Sequence, residues 1–360
     1  MLSLSARGGQ RPTVSVLGVT RASAVVIALL CLPGPALSAV TSQMPAQPQW
    51  AHVTSAGNAP YRYTDPGLGE RAIGRVDHDY YIRTTEITGG EWFEFVNAAK
   101  RYVPTNAQLG STFIGEYTTW DLHSDGTVTH YLNDVGINRP ITTAWRYAAM
   151  YCNWLHNNKG TDISSFLTGA YTLDGTTNYE LPFAAREPGA RYWLPSEDEW
   201  AKAAYFDLGR DGPNQPGYWQ YPNGTSTPLI PGQPETGAQT SGGVLLSFEF
   251  PLRPEVGAYP ETVSPWGLLD VSGGPREWTD SASYSGGLVG DWQGYLQLGS
   301  RYGDLGITDV TDRLGHYSST HSNSASNGIR LASSVPSVGT SMFFLLPFAW
   351  HLARRRKVTP

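Results

Sequence analysis

Three stretches of the chain carry apolar residues at the spacing of a helix that buries one face. The stretch 88–100 places this face on Trp92, Phe95, Val96 and Ala99. The stretch 142–157 places it on Trp145, Ala148, Ala149, Cys152 and Leu155. The stretch 194–207 places it on Trp200, Ala203 and Ala204. The spacing therefore predicts three amphipathic helices that pack against a core.

Residues 197–199 are all acidic and begin the third of these helices. Ser196 and Glu199 have the spacing of a capping box, in which each side chain accepts from the backbone N–H of the other residue. Negative charge in the first turn is also favoured by the helix dipole. We therefore interpret the acidic cluster as a helix start, with a catalytic carboxylate as the alternative. The same spacing begins the first helix, at Thr88 and Glu91.

Extended and irregular segments separate the helices. Residues 76–82 alternate as in a strand, with one face on Val76, His78, Tyr80 and Ile82. Residues 112–132 are typical of two strands around a turn at Asp125 and Gly126. Residues 208–262 consist mostly of Pro, Gly, Ser and Thr, which predicts a long irregular excursion.

Composition supports a rigid core with long connections. Charged residues make up 16% of the chain, below the roughly 25% of an average domain. The chain has 40 Gly and 26 Pro, and its 12 Trp and 20 Tyr can supply much of the buried area. The formal net charge is −6 and no basic block lies inside the globular part. This charge distribution indicates no nucleic-acid partner.

The N-terminal region has the pattern of a secretory signal. Basic residues precede an apolar run at 22–32, and small residues follow at Ser38 and Ala39. This order predicts export with cleavage near Ala39. The run is short for a membrane span, which needs about 20 apolar residues.

The C-terminal region has the pattern of a stop-transfer segment. An apolar stretch at 338–353, interrupted by Pro347, precedes four basic residues at 354–357, whose charge favours the cytoplasmic side. The layout resembles the PEP-CTERM tail, which an exosortase-type sorting enzyme cuts. The family's Val-Pro-Glu-Pro signature here reads Val-Pro-Ser-Val, at 335–338. The tail is expected either to be cut after a transient stay in the inner membrane or to remain as a plain anchor.

Cysteine usage fits an exported domain held together by its core. The chain has two Cys, and Cys31 would leave with the signal. Cys152 lies on the apolar face of the second helix, so we expect a small core residue, with a reactive thiol as the alternative. A mature domain of about 270 residues can bury enough surface without a disulfide.

Five segments, taken in order, resemble the formylglycine-generating enzyme family, also called sulfatase-modifying factor domains. The segments are 82–98, 138–157, 192–206, 264–281 and 327–333. The resemblance implies an α+β class: an irregular C-type lectin-like fold with few helices packed on short antiparallel sheets and little regular structure. The expected organisation is a signal at 1–39, a linker at 40–59, the domain at 60–333 and the C-terminal segment at 334–360.

Active members of the family oxidise a sulfatase Cys to formylglycine with Cu(I), which two Cys near the C-terminus hold. Soft thiolates are ligands that suit Cu(I). In this chain residues 303–327 contain no Cys, and Cys152 belongs to a core helix. The resemblance therefore implies a member without the copper site and without formylglycine formation.

Two other metal hypotheses remain. His316 and His321 lie five residues apart with aspartates nearby, and they are either ligands or exposed loop residues. Family members also bind structural calcium, partly through an Asn and a Glu in one short block. Here Glu277 matches the Glu, while Gly274 replaces the Asn. Glu277 is expected either to help to bind calcium or to pair with Arg276 or Arg330.

Three classes of function follow. The first is a non-catalytic binding domain displayed at the surface, with an extracellular glycan or an envelope protein as partner. The second is a metal-dependent oxidoreductase of altered chemistry, and the third is a purely structural matrix protein. Loops rich in Tyr, Ser, Asn and Gly suit adaptable binding. The candidate ligand-binding residues are Trp292, Tyr295, Arg301, Tyr302, His316, Tyr317 and His321.

Overall fold

The computed structural model of the chain describes residues 49–65, 69–175, 184–244, 254–284, 293–301, 318–320 and 327–335. The chain separates into two compact units, Met1–Met44 and Pro45–Pro360, and all described residues belong to the second. The expected signal and the apolar C-terminal stretch lie outside the described residues.

The helices are few and mostly short. In the described part of the chain they are α1 (Gly89–Ala99), α2 (Thr105–Gln108), α3 (Ser111–Ile114), α4 (Trp145–His156), α5 (Ser164–Leu167) and α6 (Glu197–Tyr205). The three longest, α1, α4 and α6, are the three predicted helices. Short 3-10 turns occur at Lys100–Tyr102, Asp134–Gly136 and Pro234–Thr236.

Helices α1 and α6 begin with the predicted capping boxes. Ser196 Oγ accepts from the Glu199 N–H at 3.1 Å, and Glu199 Oε2 accepts from the Ser196 N–H at 2.8 Å. Thr88 and Glu91 make the same two bonds at 3.4 and 3.0 Å. Each pair satisfies two N–H groups that lack a partner within the helix. Both predicted helix starts are confirmed.

The strands are short, and most of them pair locally. They are β1 (Trp50–Val53), β2 (Tyr61–Asp65), β3 (Gly69–Ile73), β4 (Tyr80–Arg83), β5 (Thr118–Leu122), β6 (Val128–Leu132), β7 (Tyr192–Trp193), β8 (Phe206–Asp207), β9 (Gly217–Tyr218), β10 (Arg276–Tyr284), β11 (Gln293–Leu298), β12 (Ser318–Thr320), β13 (Asn327–Gly328) and β14 (Ala332–Ser333). Three pairs form separate hairpins: β2–β3, β5–β6 and β8–β9. This mixture of few helices and short, mainly antiparallel sheets is the expected α+β class.

One four-stranded sheet, in the order β1-β4-β14-β7, joins the two ends of the domain. Ile82 of β4 pairs with Ala51 on one side and with Ala332 on the other, and Ala332 also pairs with Trp193. All four of these side chains are buried. Strand β1 therefore corrects the sequence-based boundary, because part of the range assigned to the 40–59 linker is a core strand.

The second four-stranded sheet has the order β12-β11-β10-β13. Strand β10 pairs antiparallel with β11 and parallel with β13. The β10–β11 register shifts between Trp278 and Ala282, which is the mark of a bulge. Bulges redirect side chains and often lie beside functional sites. Asp280 lies within this irregular stretch.

Helix α4 is buried on almost every side. Its residues from Trp145 to Trp154 are all buried, whereas the sequence predicted only one buried face. The indole of Trp145 stacks on the ring of Tyr295 with centroids 3.8 Å apart. Cys152 is fully buried and unpaired, which confirms its prediction as a core residue. Other elements therefore surround α4, and the buried Asn153 amide donates to the carbonyls of Phe166 and Tyr171.

The remaining predictions of strands and irregular segments agree with the structure to different degrees. The hairpin at 112–132 is confirmed as β5 and β6. The alternating stretch 76–82 is a strand only from Tyr80, because β4 spans Tyr80–Arg83. Residues 208–244 and 254–262 contain only β9 and one 3-10 turn, as the irregular excursion predicted for 208–262 requires.

Candidate functional site

Strand β10 carries two buried acidic residues, Glu277 and Asp280, in different surroundings. The Arg330 guanidinium donates from Nη2 to Glu277 Oε1 at 2.7 Å and from Nε to Oε2 at 2.9 Å. The Trp200 indole donates to the same Oε2 at 2.6 Å. Both carboxylate oxygens of Glu277 are therefore bound by donors inside the core.

This geometry decides between the alternatives for Glu277. Its partner is Arg330, one of the two arginines that the sequence offered. Gly274 stands where the family has its Asn. A Cβ built there would lie 3.3 Å from Glu86 Oε1, so little space remains for a larger side chain. The arrangement corresponds to the expected alternative in which Glu277 pairs with Arg330.

Arg330 also joins distant parts of the chain. Its Nη1 donates to the carbonyl of Arg83 at 3.0 Å, and its Nη2 donates to that of Leu269 at 2.8 Å. Asp270, next in the chain to Leu269, accepts from the Gly257 N–H at 2.5 Å. Burial raises the pKa of Asp270 to about 6, although the Gly257 bond and the Arg330 charge oppose the shift. The Glu277–Arg330 pair therefore fixes the C-terminal segment to the core.

The second group on this side of the fold, which we call the Arg186 cluster, consists of Arg186, Glu199, Asp280 and His78. Arg186 Nη1 donates to both oxygens of Glu199 at 3.0 Å. His78 Nε2 lies 2.8 Å from Glu199 Oε1, and the Trp193 indole donates to Oε2 at 3.0 Å. Burial alone would raise the pKa of Glu199, but the His78 bond and the Arg186 charge lower it to about 2. Glu199 is thus an ionised, fully buried carboxylate.

Asp280 has much weaker support. Its side chain is 8% exposed, and its one ion-pair contact in the described part of the chain is Arg186 Nε, 3.8 Å from Oδ2. Burial, together with the charge of Glu199, raises its pKa to about 7 against the opposing charge of Arg186. A nearly buried carboxyl that titrates near neutrality can hold or release a proton under physiological conditions.

The structure places Asp280 beside α6. The Asp280 N–H donates to the carbonyl of Pro195 at 3.1 Å, and the Glu197 N–H donates to Ser281 Oγ at 2.8 Å. Sequence reasoning missed Arg186, Asp280 and His78 as a group. The one signal was local: Asp280 lies three residues after Glu277 in the same strand.

The acidic triplet at 197–199 divides into three roles. Glu199 caps the helix and joins the Arg186 cluster. Glu197 Oε2 lies 3.2 Å from Arg71 Nη2, and Asp198 accepts from the Gly74 N–H at 2.6 Å. Burial is the main cause of the raised pKa of both Glu197 and Asp198. The helix-start interpretation is confirmed, and the triplet also holds β3 and its exit against α6.

The structure separates the candidate ligand-binding residues. Tyr295 is wrong as a loop residue: it lies in β11, is 3% exposed, and its hydroxyl accepts from the Ala184 N–H at 3.0 Å. Arg301 is exposed just beyond the end of β11. Trp292, Tyr302, His316, Tyr317 and His321 lie outside the described residues.

Strand β11 pairs antiparallel with β12, with Tyr295 opposite Thr320 and Gln297 opposite Ser318.

A group of buried hydroxyls fixes the chain next to Arg301. Ser300 Oγ accepts from the Gly273 N–H at 3.0 Å and lies 3.3 Å from Ser272 Oγ. Thr240 Oγ1 lies 2.6 Å from Ser272 Oγ. A Cβ at Gly242 would lie 2.5 Å from Ser300 Oγ, so the close approach requires glycine. The point at which the chain leaves β11 is therefore rigid.

The thiol of Cys152 does not have the properties of a reactive group. It is fully buried in α4, and burial raises its pKa well above the ordinary value, with a smaller contribution from the charge of Asp280. A thiolate is the nucleophilic and metal-binding form, and it is disfavoured here.

The described ranges lack two features. They contain no group of three or more His, Cys, Asp or Glu side chains arranged to hold a metal ion. In the same ranges no helix combines the length and apolar character needed to cross a membrane.

The chain resembles several solved structures at low sequence identity. The crystal structure of CarF is 16% identical, covering 80% of this chain and 99% of that chain with a TM-score of 0.43. Treponema denticola variable protein 1 is 19% identical, covering 79% and 94% with a TM-score of 0.46. PvdO from Pseudomonas aeruginosa is 14% identical, covering 80% and 92% with a TM-score of 0.40.

No curated protein matches the chain significantly. The family profile of the sulfatase-modifying factor enzyme 1-like domain matches residues 39–335, which is most of the chain and includes all five segments that carried the resemblance. The chain therefore belongs to the sulfatase-modifying factor enzyme 1-like domain family.

Proposed function

We propose that this protein is an exported, non-catalytic member of its family that binds an extracellular glycan through the loops of its second sheet. The observation that carries the proposal is chemical: residues 303–327 contain no Cys, and the thiol of Cys152 is enclosed in α4. The chain therefore lacks the paired soft ligands that Cu(I) requires for the family reaction.

The charged groups of the core support a scaffold rather than a catalyst. Glu277 is occupied by Arg330 and Trp200, and Glu199 by Arg186, His78 and Trp193. These bonds hold the sheet and α6 in fixed positions. A rigid framework of this kind can carry loops of variable sequence, where binding residues are commonly found.

The loop composition favours a polar ligand with flat apolar faces, such as a sugar. Residues 285–292 and 302–326 are rich in Gly and Ser and contain Trp292, Tyr302, Tyr317 and Asn323. Aromatic rings provide rigid contact area, while Ser and Asn provide adaptable hydrogen bonds. Arg301 adds an exposed cation next to the Ser300 anchor.

Binding can be tested with a glycan array followed by calorimetry on any ligand found. We expect Arg301→Ala or Trp292→Ala to weaken binding while leaving thermal unfolding unchanged. Lys159→Ala is the matched control, since Lys159 is an exposed cation on a different part of the fold that pairs with Glu94. Failure to bind any glycan, combined with pull-down of an envelope protein or with stable incorporation into matrix, would replace this proposal with the corresponding alternative.

Catalysis can be tested directly. We expect no conversion of a Cys-containing sulfatase peptide to formylglycine when Cu(I) and oxygen are supplied. The readout is the mass of the peptide, and an active family member serves as the positive control. Conversion above a control without protein would show that the chain uses a different ligand set and would support the oxidoreductase alternative.

We also propose a route to the cell surface. The signal at 1–39 directs export, and the segment at 338–357 holds the chain in the inner membrane until an exosortase-type enzyme cuts it. About 16 apolar residues span only roughly 24 Å as a helix, less than the roughly 30 Å of a bilayer core. Such a span suits a transient stop better than a permanent anchor.

The mass of the protein isolated from its native host tests this route. A chain that begins near Val40 and ends before residue 338 would support the proposal. A chain that ends at Pro360 would show that the tail is a plain anchor. Replacing Arg354, Arg355, Arg356 and Lys357 with Ser is expected to release uncut protein or lead to its degradation.

A further inference from the structure

Arg186 lies in a short segment, 184–187, that several core contacts hold. The Ala184 N–H donates to the Tyr295 hydroxyl, and the Glu187 N–H donates to the carbonyl of Ala170 at 2.8 Å. The Arg186 backbone forms an isolated bridge with Tyr171, and its guanidinium lies 4.7 Å from the centre of the Trp193 ring. Arg186 therefore connects this segment to α6 through Glu199 and to β10 through Asp280.

The charges in the Arg186 cluster do not balance when both acids are ionised. One guanidinium serves two carboxylates, and it lies at 3.0 Å from Glu199 but at 3.8 Å from Asp280. His78 contacts the Glu199 side of the cluster and is half exposed. With both acids ionised, Arg186, Glu199 and Asp280 together carry one excess negative charge, which a proton on Asp280 removes. The interior disfavours an uncompensated charge, so the proton is retained up to higher pH than on a free aspartate.

We propose that the Arg186 cluster is a proton-sensitive contact: with Asp280 protonated, segment 184–187 stays closed on β10 and α6, and loss of that proton as the pH rises loosens the segment. The driving force is the cost of a second negative charge in the interior. Opening of the segment exposes Asp280 to water and relieves that cost.

The groups that surround the cluster support this assignment. Asp198 acts on Glu199 and accepts from Gly74, while Arg146 acts on the ring of Tyr295. The other titratable groups that face Asp280 or Glu199 have pKa values raised by burial, so they stay neutral near pH 7: Tyr80, Tyr171, Cys152 and Tyr295. Asp280 is therefore the buried acid of the cluster that can change charge near neutral pH, since Glu199 is held ionised.

Hydrogen exchange of the Ala184 and Glu187 amides tests the proposal, after correction for the intrinsic effect of pH on exchange. One proton with a midpoint near pH 7 changes an opening equilibrium by about tenfold between pH 6 and 8. We expect protection of both amides to fall by up to that factor. The Asn133 amide, which donates to the Tyr117 carbonyl in a distant hairpin, is the internal control and should not respond.

Asp280→Asn removes the titrating proton while keeping the shape of the side chain. We expect this variant to keep high protection at both pH values, whereas Asp121→Asn, at an exposed position of β5, should behave like the unchanged protein. His78→Gln removes the imidazole that contacts Glu199, and a pH response that survives this change assigns the proton to Asp280.

A carbon-13 NMR titration of the Asp280 carboxyl keeps the test decisive if Asp280→Asn does not fold. A midpoint near neutrality that coincides with the loss of protection supports the proposal. It would be overturned by a midpoint below pH 5, or by equal protection of Ala184 and Glu187 at pH 6 and 8. It would also be overturned if His78→Gln abolished the response.

Discussion

Glu277 and Asp280 are three residues apart on β10, yet the fold treats their charges in opposite ways. Glu277 meets one guanidinium at 2.7 to 3.1 Å and an indole N–H at 2.6 Å. Asp280 shares Arg186 with Glu199 and stands 3.8 Å from it. The first carboxylate has a complete set of donors and the second does not. Glu277 has a guanidinium to itself and forms a structural ion pair. Asp280 must share its guanidinium with Glu199, and it can therefore titrate.

The largest expected loss of stability comes from breaking the Glu277–Arg330 pair. Arg330→Met leaves Glu277 as an uncompensated buried charge and removes the donors to the carbonyls of Arg83 and Leu269. We expect a loss of roughly 3–5 kcal/mol in the free energy of unfolding, measured by urea denaturation. Lys159→Met breaks the exposed pair with Glu94 and should cost about 1 kcal/mol or less.

A double variant shows whether the loss comes from the unpaired charge. Glu277→Gln combined with Arg330→Met removes both charges and keeps an acceptor for the Trp200 indole. We expect it to recover part of the stability lost in Arg330→Met. If Arg330→Met cost no more stability than Lys159→Met, the buried Glu277–Arg330 pair would not be an important structural contact.

A substitution at Cys152 tests the apolar packing of α4 near Asp280. The thiol is buried in α4, where the charge of Asp280 acts on it. Cys152→Ser places a more polar hydroxyl there, and we expect a loss of roughly 1–3 kcal/mol in thermal or chemical unfolding. Cys152→Ala should cost less. Rapid labelling of the thiol in the folded protein would contradict this placement.

The two capping boxes give a smaller and more local comparison. Ser196→Ala removes the cap of α6 and frees Glu199, which also holds Arg186 and His78. Thr88→Ala removes the cap of α1, whose Glu91 also accepts from Arg83. We expect each to cost about 1 kcal/mol, with Ser196→Ala the more damaging. Equal losses on urea unfolding would show that the Arg186 cluster does not depend on the cap.

Local patterns in the sequence were sufficient for much of the fold. The capping boxes, the three long helices and the β5–β6 hairpin each depend on residues within one segment, and all were predicted correctly. Five ordered segments were also enough to identify the family, although no single segment was specific. Strand β1 was missed because four residues ahead of the first recognisable segment carry little pattern of their own.

The candidate site was less predictable because its contacts join distant segments. His78, Arg186, Glu199 and Asp280 come from four separate parts of the chain, and no spacing marks them as neighbours. Tyr295 was placed in a binding loop for its aromatic character, whereas its ring stacks on Trp145 and its hydroxyl binds Ala184. An aromatic residue that suits a binding loop suits a core equally well, so composition alone could not decide.

The smallest expected effect is the pH dependence of stability, which separates the two regions. The folded-state pKa of Asp280 is raised, so its stabilising contribution is complete below pH 3.8 and is lost as the pH rises through about 7. The lowered pKa of Glu199 acts oppositely: its contribution is present above pH 4.5 and is lost as the pH falls towards 2. Asp270 acts in the same direction as Asp280 but completes its change near pH 6.

The interval from pH 6 to 8 therefore reports mainly on Asp280. Urea denaturation of the unchanged protein should show a decrease of about 1 kcal/mol across it, corresponding to one proton with a midpoint near 7. Asp280→Asn should remove that decrease. It should leave unchanged the loss of stability at low pH that arises from Glu199. A variant with Arg330→Met should keep the decrease, because Arg330 serves the other carboxylate. If Asp280→Asn and Arg330→Met changed the pH profile alike, the two acids of β10 would form one coupled system and the distinction drawn between them would fail.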